Sequence, residues 1–104
     1  MLSKSVTELI NILFKKAHSE EVKNSLESVF EGPYKEMADR VCCSVLKLSV
    51  IRGHGSLQKF RSAFELTKLD YRDLFVKAKF ANSERSHELW AQKIKNKANS
   101  KSKS

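Results

Sequence analysis

Apolar positions recur at helical spacing along most of this chain. Residues 3–17 place Val6, Leu9, Ile10, Leu13 and Ala17 on one face, widened by Ile12 and Phe14, with Glu8, Asn11 and Lys15 opposite. Val22, Leu26, Val29 and Phe30 form a second stripe that is out of phase with the first. A break at His18–Ser19 resolves the mismatch, with Ser19 as cap and Glu20 and Glu21 favouring the positive end of the second helix. Gly32-Pro33 ends that helix and starts a third. The third stripe runs through Tyr34, Met37, Ala38, Val41, Val45 and Leu48 to about Ile51. The loose alternation of VLKLSVI is read as helix because its stripe continues in phase from Tyr34.

Gly53-His54-Gly55 reads as the flexible joint of the chain. Ser56 caps a fourth helix bearing Leu57, Phe60 and Phe64. A short fifth helix covers about 71–79. After a turn at Phe80–Ser83, Ser83 caps a last helix through Trp90 and Ile94. The expected fold is all-α: a compact bundle of five to six short helices forming one domain over residues 1–98, followed by a disordered Lys/Ser tail at 99–104.

Composition agrees with that picture. Three Gly and one Pro in 104 residues favour long helices over strands and turns. No apolar run reaches the roughly 20 residues of a membrane span. The first helix carries Glu8 and Asn11 within its apolar part and no small-residue cleavage site, so it reads as an amphipathic helix and not a signal peptide. A cytoplasmic, reducing setting is expected. The net charge of +8 is unevenly placed: residues 91–104 hold five lysines and no acid, leaving only +3 for residues 1–90.

Asp70-Tyr71-Arg72-Asp73 is the densest polar cluster. As chemistry it offers two carboxylates and a cation. As structure, Asp70 is an N-cap, Asp73 an acid in the first turn, and Tyr71 shares a face with Phe75. The structural account covers every group but Arg72. The segment also resembles a family of small, uncharacterised bacterial all-helical proteins. Their pattern is a leucine-rich helix, then Asp–aromatic–Arg–Asp–Leu, an Ala-Gly-Phe-like end and a His…Trp pair. Here the matching residues are Leu46, Leu48, Leu57 and Phe60, then Asp70, Tyr71, Arg72, Asp73, Leu74, Ala78 and Phe80, and finally His87 and Trp90. Lys79 departs from the pattern, standing where a tight helix end calls for Gly. The resemblance brings no activity with it.

The remaining candidates are sparse. His87 and Trp90, three apart, share a helix face and are read as imidazole packed on indole at the core edge. Adjacent Cys42 and Cys43 point about 100° apart on a helix, which excludes a disulfide between them. Cys42 is expected in the core and Cys43 as an exposed thiol able to cross-link chains. No histidine lies at metal-ligand spacing from them, and Gly53-His54-Gly55 lacks the features of a phosphate loop. No cofactor or metal is expected, and no acid–base pair or nucleophile set points to an enzyme. The expected role is a small cytoplasmic protein-interaction or accessory module, as a homodimer or subunit, with Arg72, His87 and Trp90 as candidate contacts. The alternative is a non-specific nucleic-acid-associated protein using Lys93, Lys95, Lys97, Lys101 and Lys103. Against it stand the absence of Arg from the tail, of aromatics beyond Trp90, and of a helix-turn-helix at 56–80.

Overall fold

Ser3 opens the first helix, α1 (Lys4–Leu13), by accepting the Val6 N–H at 3.2 Å. Its hydroxyl also donates to Asp39 at 2.6 Å, tying this helix start to a later element. The computed structural model describes residues 1–83 and 85–102, with side chains as far as Asn99. Six α-helices and a two-stranded hairpin make up these described residues.

The break after α1 comes earlier than the pattern suggests. The chain is extended at Phe14 and Lys15, and α2 (Lys16–Glu31) then runs through His18 and Ser19. Ser19 is buried inside the helix, its hydroxyl donating to the Lys16 carbonyl at 3.1 Å. The reason is Phe14, which turns inward to meet Phe60 edge-on at 6.0 Å. Burying a Phe side chain contributes about 1.5–3 kcal/mol, against about 1 kcal/mol for a good cap.

Gly32 and Pro33 end α2 as expected, but a 3-10 turn at Lys35–Met37 intervenes before α3 (Ala38–Leu48). The latter is the axis of the fold. Val41 through Leu46 are all buried, because α1, α2 and three later helices pack around it. Ser44 and Ser49, both fully buried, donate to the carbonyls of Arg40 and Val45, so neither hydroxyl is stranded.

The chain leaves the helix at Ser49, not at Ile51. Val50–Ile51 (β1) pairs antiparallel with His54–Gly55 (β2), closed by Arg52 and Gly53 at φ 52° and 85°. Positive φ at both positions is the turn that matches strand twist. The expected flexible joint is therefore a small hairpin. Gly55 is needed there because a Cβ would lie 2.6 Å from the Phe14 ring.

The helices α4 (Leu57–Leu69) and α5 (Tyr71–Ala78) start as their sequence indicates. Ser56 accepts from Lys59 N–H at 3.3 Å, and Asp70 accepts from Arg72 and Asp73 N–H at 3.0 and 3.3 Å. Ahead of the last helix, α6 (Ser86–Ser102), the Ser83 hydroxyl accepts the Arg85 N–H at 3.2 Å. The expected tail at 99–104 thus begins within α6, and Lys103 and Ser104 lie outside the described residues. α6 packs on α1 and α3, closing the side of the axis that carries Cys43. No helix of the described residues is long and apolar enough to cross a membrane.

Candidate anion-binding groove

The site starts with two cations on the buried axis. Arg40 and Lys47 lie seven residues apart on α3, two turns on the same side. Both reach the C-terminal end of α5, where helix carbonyls lack intrahelical donors and carry partial negative charge. Arg40 donates through Nε to the Phe80 carbonyl at 3.1 Å and through Nη2 to the same oxygen, with its guanidinium 4.4 Å from the Phe75 ring centroid. Lys47 donates to the Ala78 carbonyl at 2.9 Å and stands 4.7 Å over the Phe80 ring.

The helix end itself is tightly closed. Phe80 N–H bonds the Phe75 carbonyl at 2.9 Å and Lys79 N–H the Val76 carbonyl at 3.1 Å. These two bonds define a Schellman closure, which requires a left-handed residue between the helix and Phe80. That residue is Lys79, at φ 65° and ψ 33°. The tight end forms even without Gly, at a left-handed cost of about 1–2 kcal/mol.

Phe80 is buried and joins the two sides of the site. Its ring lies 6.0 Å from Trp90 and 6.4 Å from His87. α6 then runs alongside, so Lys47, Lys79 and Lys93 border a groove of about 510 Å³ walled by Phe80 and Trp90. Ser86, Gln92 and Asn96 contribute polar groups, and Leu89 projects beside Trp90 at 67% exposure. No acid lines the groove among the described residues. Lys47 is held below the ordinary lysine pKa, first by burial and then by the charges of Lys79 and Lys93.

Elsewhere on the surface, positive charge is repeatedly matched. Arg61 grips Glu21 with two 2.8 Å bonds, Lys77 meets Asp73 at 3.5 Å, and Arg85 meets Glu88 at 3.6 Å. Among the described residues, Lys47, Lys79 and Lys93 form no ion pair. The groove is therefore a concentration of uncompensated positive charge beside an aromatic wall.

The residues singled out in the sequence are divided by the fold. Trp90 and Lys93 belong to the groove. His87 touches the same Phe80 but lines a separate cavity of about 410 Å³ with Glu36, Asp39, Arg40 and Glu88. Arg72 is exposed on α5, 5.9 Å from the Tyr71 ring centroid, and the Tyr71 hydroxyl raises its pKa above the ordinary arginine value. It does not line the groove. Lys95 is engaged within the fold, donating to Ser5 at 2.8 Å and lying 3.5 Å from Glu8 on α1. Lys97 is exposed on α6, the Lys101 side chain is not described, and Lys103 lies outside the described residues.

Cys43 corrects an expectation. It is 2% exposed, because α6 covers what looked like the polar side of α3. Burial, then Asp39, pushes its thiol up to about 12, and Cys42 beside it is raised well above the ordinary range mainly by burial. Both are protonated and out of reach at neutral pH, so Cys43 is not a surface cross-linking thiol.

Arg40, Lys47 and Lys79 were not among the candidate residues. For Lys79 the sequence did hold a signal: a charged side chain where a helix end favours Gly. Searches against protein families, curated proteins and solved structures find no match for this chain. The Asp–aromatic–Arg–Asp–Leu resemblance accordingly adds no functional assignment.

Proposed function

We propose that this protein is a nucleic-acid-associated helical module that holds phosphate groups on the groove between α5 and α6. The supporting observation is the convergence of Lys47, Lys79 and Lys93 on one concave surface with no acid in its lining. Three like charges this close repel one another, and a polyanion relieves the repulsion while releasing its own counterions. Lys47 is preorganised by the Ala78 carbonyl, so little side-chain freedom is lost when it meets a phosphate. Lys97 extends the basic surface along α6. Two buried, protonated thiols fit a reducing, cytoplasmic setting.

The role proposed for the groove is binding, since its lining among the described residues holds no carboxylate, imidazole or thiol to serve as base or nucleophile. The test is an electrophoretic mobility shift with DNA and RNA. Binding at about 20 mM salt that is lost by about 200 mM is the expected result. Unchanged mobility at the lower salt would refute the proposal.

A second reading, protein contact or self-association, draws on Leu69 and Val76, which are 81% and 62% exposed on α4 and α5. It expects a dimer by sedimentation equilibrium, dissociated by Val76→Asp. A monomer at all concentrations would remove the self-association branch.

A further inference from the structure

The groove is more than a charged patch. Its charges stand at the rim and floor, while its wall is aromatic. Trp90 is backed by Phe80 at 6.0 Å, which fixes the indole while leaving part of it in the groove. Leu89, largely exposed one residue earlier, extends the apolar surface at the mouth. Gln92 and Asn96 are bonded to each other at 2.9 Å, and both border the groove.

Electrostatics alone would need none of this. A flat row of lysines suffices for the outer face of a duplex, whose bases are stacked inward and inaccessible to an indole. The groove is open to solvent, and its volume of about 510 Å³ leaves room for a ligand of nucleotide size. A tryptophan near uncompensated lysines suits a ligand that presents an anion and an aromatic face a few ångströms apart. An unpaired nucleotide is such a ligand, since its base can be splayed out and stacked while its phosphate stays on the rim.

We propose that the groove takes one nucleotide of a single-stranded nucleic acid, with its phosphate on Lys79 and Lys93 and its base against Trp90. This assignment rests on the phosphate-binding function proposed for the same groove. Lys47 supplies charge at the floor, and Asn96 offers amide groups to the base or sugar. The site gives little sequence preference, because every base has an aromatic face.

Trp90 is the single tryptophan of the chain, so its fluorescence reports the site without labelling or substitution. The experiment titrates the full chain with oligo-dT at low salt, following tryptophan emission, and repeats it with the oligo-dA·oligo-dT duplex and with thymidine monophosphate. Oligonucleotide anisotropy is read in parallel. Saturable quenching by the single strand, with binding to the duplex at least about tenfold weaker, is expected from one stacked base. Trp90→Phe retains quench-independent binding, whereas Trp90→Leu weakens it by about tenfold or more. Anisotropy showing equal binding of single strand and duplex without quenching overturns the inference while leaving the phosphate-binding function intact. Equal quenching by the free mononucleotide overturns the single-strand assignment. No binding of any probe overturns both.

Discussion

Lys79→Gly should make the protein more stable and a weaker ligand binder at once. Lys79 sits in the left-handed region at φ 65°, with its N–H used in the helix closure and its side chain in no ion pair among the described residues. A non-glycine residue there costs about 1–2 kcal/mol. Gly relieves that cost but loses about 0.4–1 kcal/mol through a freer unfolded chain. The mid-range net gain is about 0.8 kcal/mol, since the side chain gives up no ion pair among the described residues and its removal eases repulsion on Lys47. For a domain of this size that raises the midpoint of thermal unfolding by about 3–6 °C. Circular dichroism melting and urea titration read the first effect, and oligonucleotide anisotropy at low salt reads the second. Lys79→Gln separates the two, keeping the strain while removing the charge. Unchanged or lower stability of the Gly variant would refute the left-handed assignment. Raised stability with unchanged affinity would show that the charge at 79 has no part in binding.

Other consequences follow from the packing. Gly55→Ala places a methyl 2.6–2.8 Å from three carbons of the buried Phe14 ring and should cost about 1–3 kcal/mol by urea denaturation; a loss below the experimental error would show that the hairpin does not rest on Phe14. Arg40→Met removes two charge-assisted bonds to the Phe80 carbonyl and should cost about 1.5–3 kcal/mol. Arg72→Ala, exposed and outside the groove, should stay within about 0.5 kcal/mol of the parent, and equal losses for the two variants would contradict the assignment of roles. Stability should also fall in alkali. Cys43 keeps its proton to about 12 in the fold, whereas an unfolded thiol ionises near about 8.5. Above that lower value the unfolded state binds fewer protons, so the stabilisation is complete below it and is lost as pH rises toward 12. Cys43→Ala should flatten the decline between these limits, and parallel curves for variant and parent would refute the burial of the proton.

What could be read from the sequence was what short-range chemistry decides. Ser56 and Asp70 cap helices because hydroxyl or carboxylate meets N–H groups two or three residues on. The expected all-α bundle of five to six helices is found, with six α-helices among the described residues, for the same reason: each stripe is local. The errors came where distant residues decide. The break after α1 moved to Phe14 because Phe60 and Gly55 wait for that ring. Cys43 fell on the polar side of a stripe drawn from α3 alone, and α6, more than forty residues later, buried it. The hairpin at 50–55 replaced both the end of a helix and a joint, because two short β-branched positions found a partner strand.

The groove divides in the same way. Trp90 and Lys93 were both named from the sequence, but separately: Trp90 as the partner of His87 and Lys93 as one of the lysines of the last helix. Lys47 looked like one polar position of an amphipathic helix, and its meeting with Lys79 depends on how α5 ends. Charge counting pointed instead to the whole lysine run of α6. That run mixes roles: Lys93 borders the groove, whereas Lys95, two residues on, turns to α1 and meets Glu8. Periodicity alone assigns faces to helices but not partners to faces.

The most direct test of a phosphate-binding groove is the salt dependence of single-strand affinity, measured by anisotropy for the parent and for Lys79→Gly/Lys93→Gln. Neutralisation of a single strand by the three groove lysines gives a slope of log K against log salt of about −2, and removing two of those charges leaves about −0.7. A slope that falls this way, with the double variant still folded by circular dichroism, is the predicted result. The same slope for both proteins would place the binding charge elsewhere and contradict the groove.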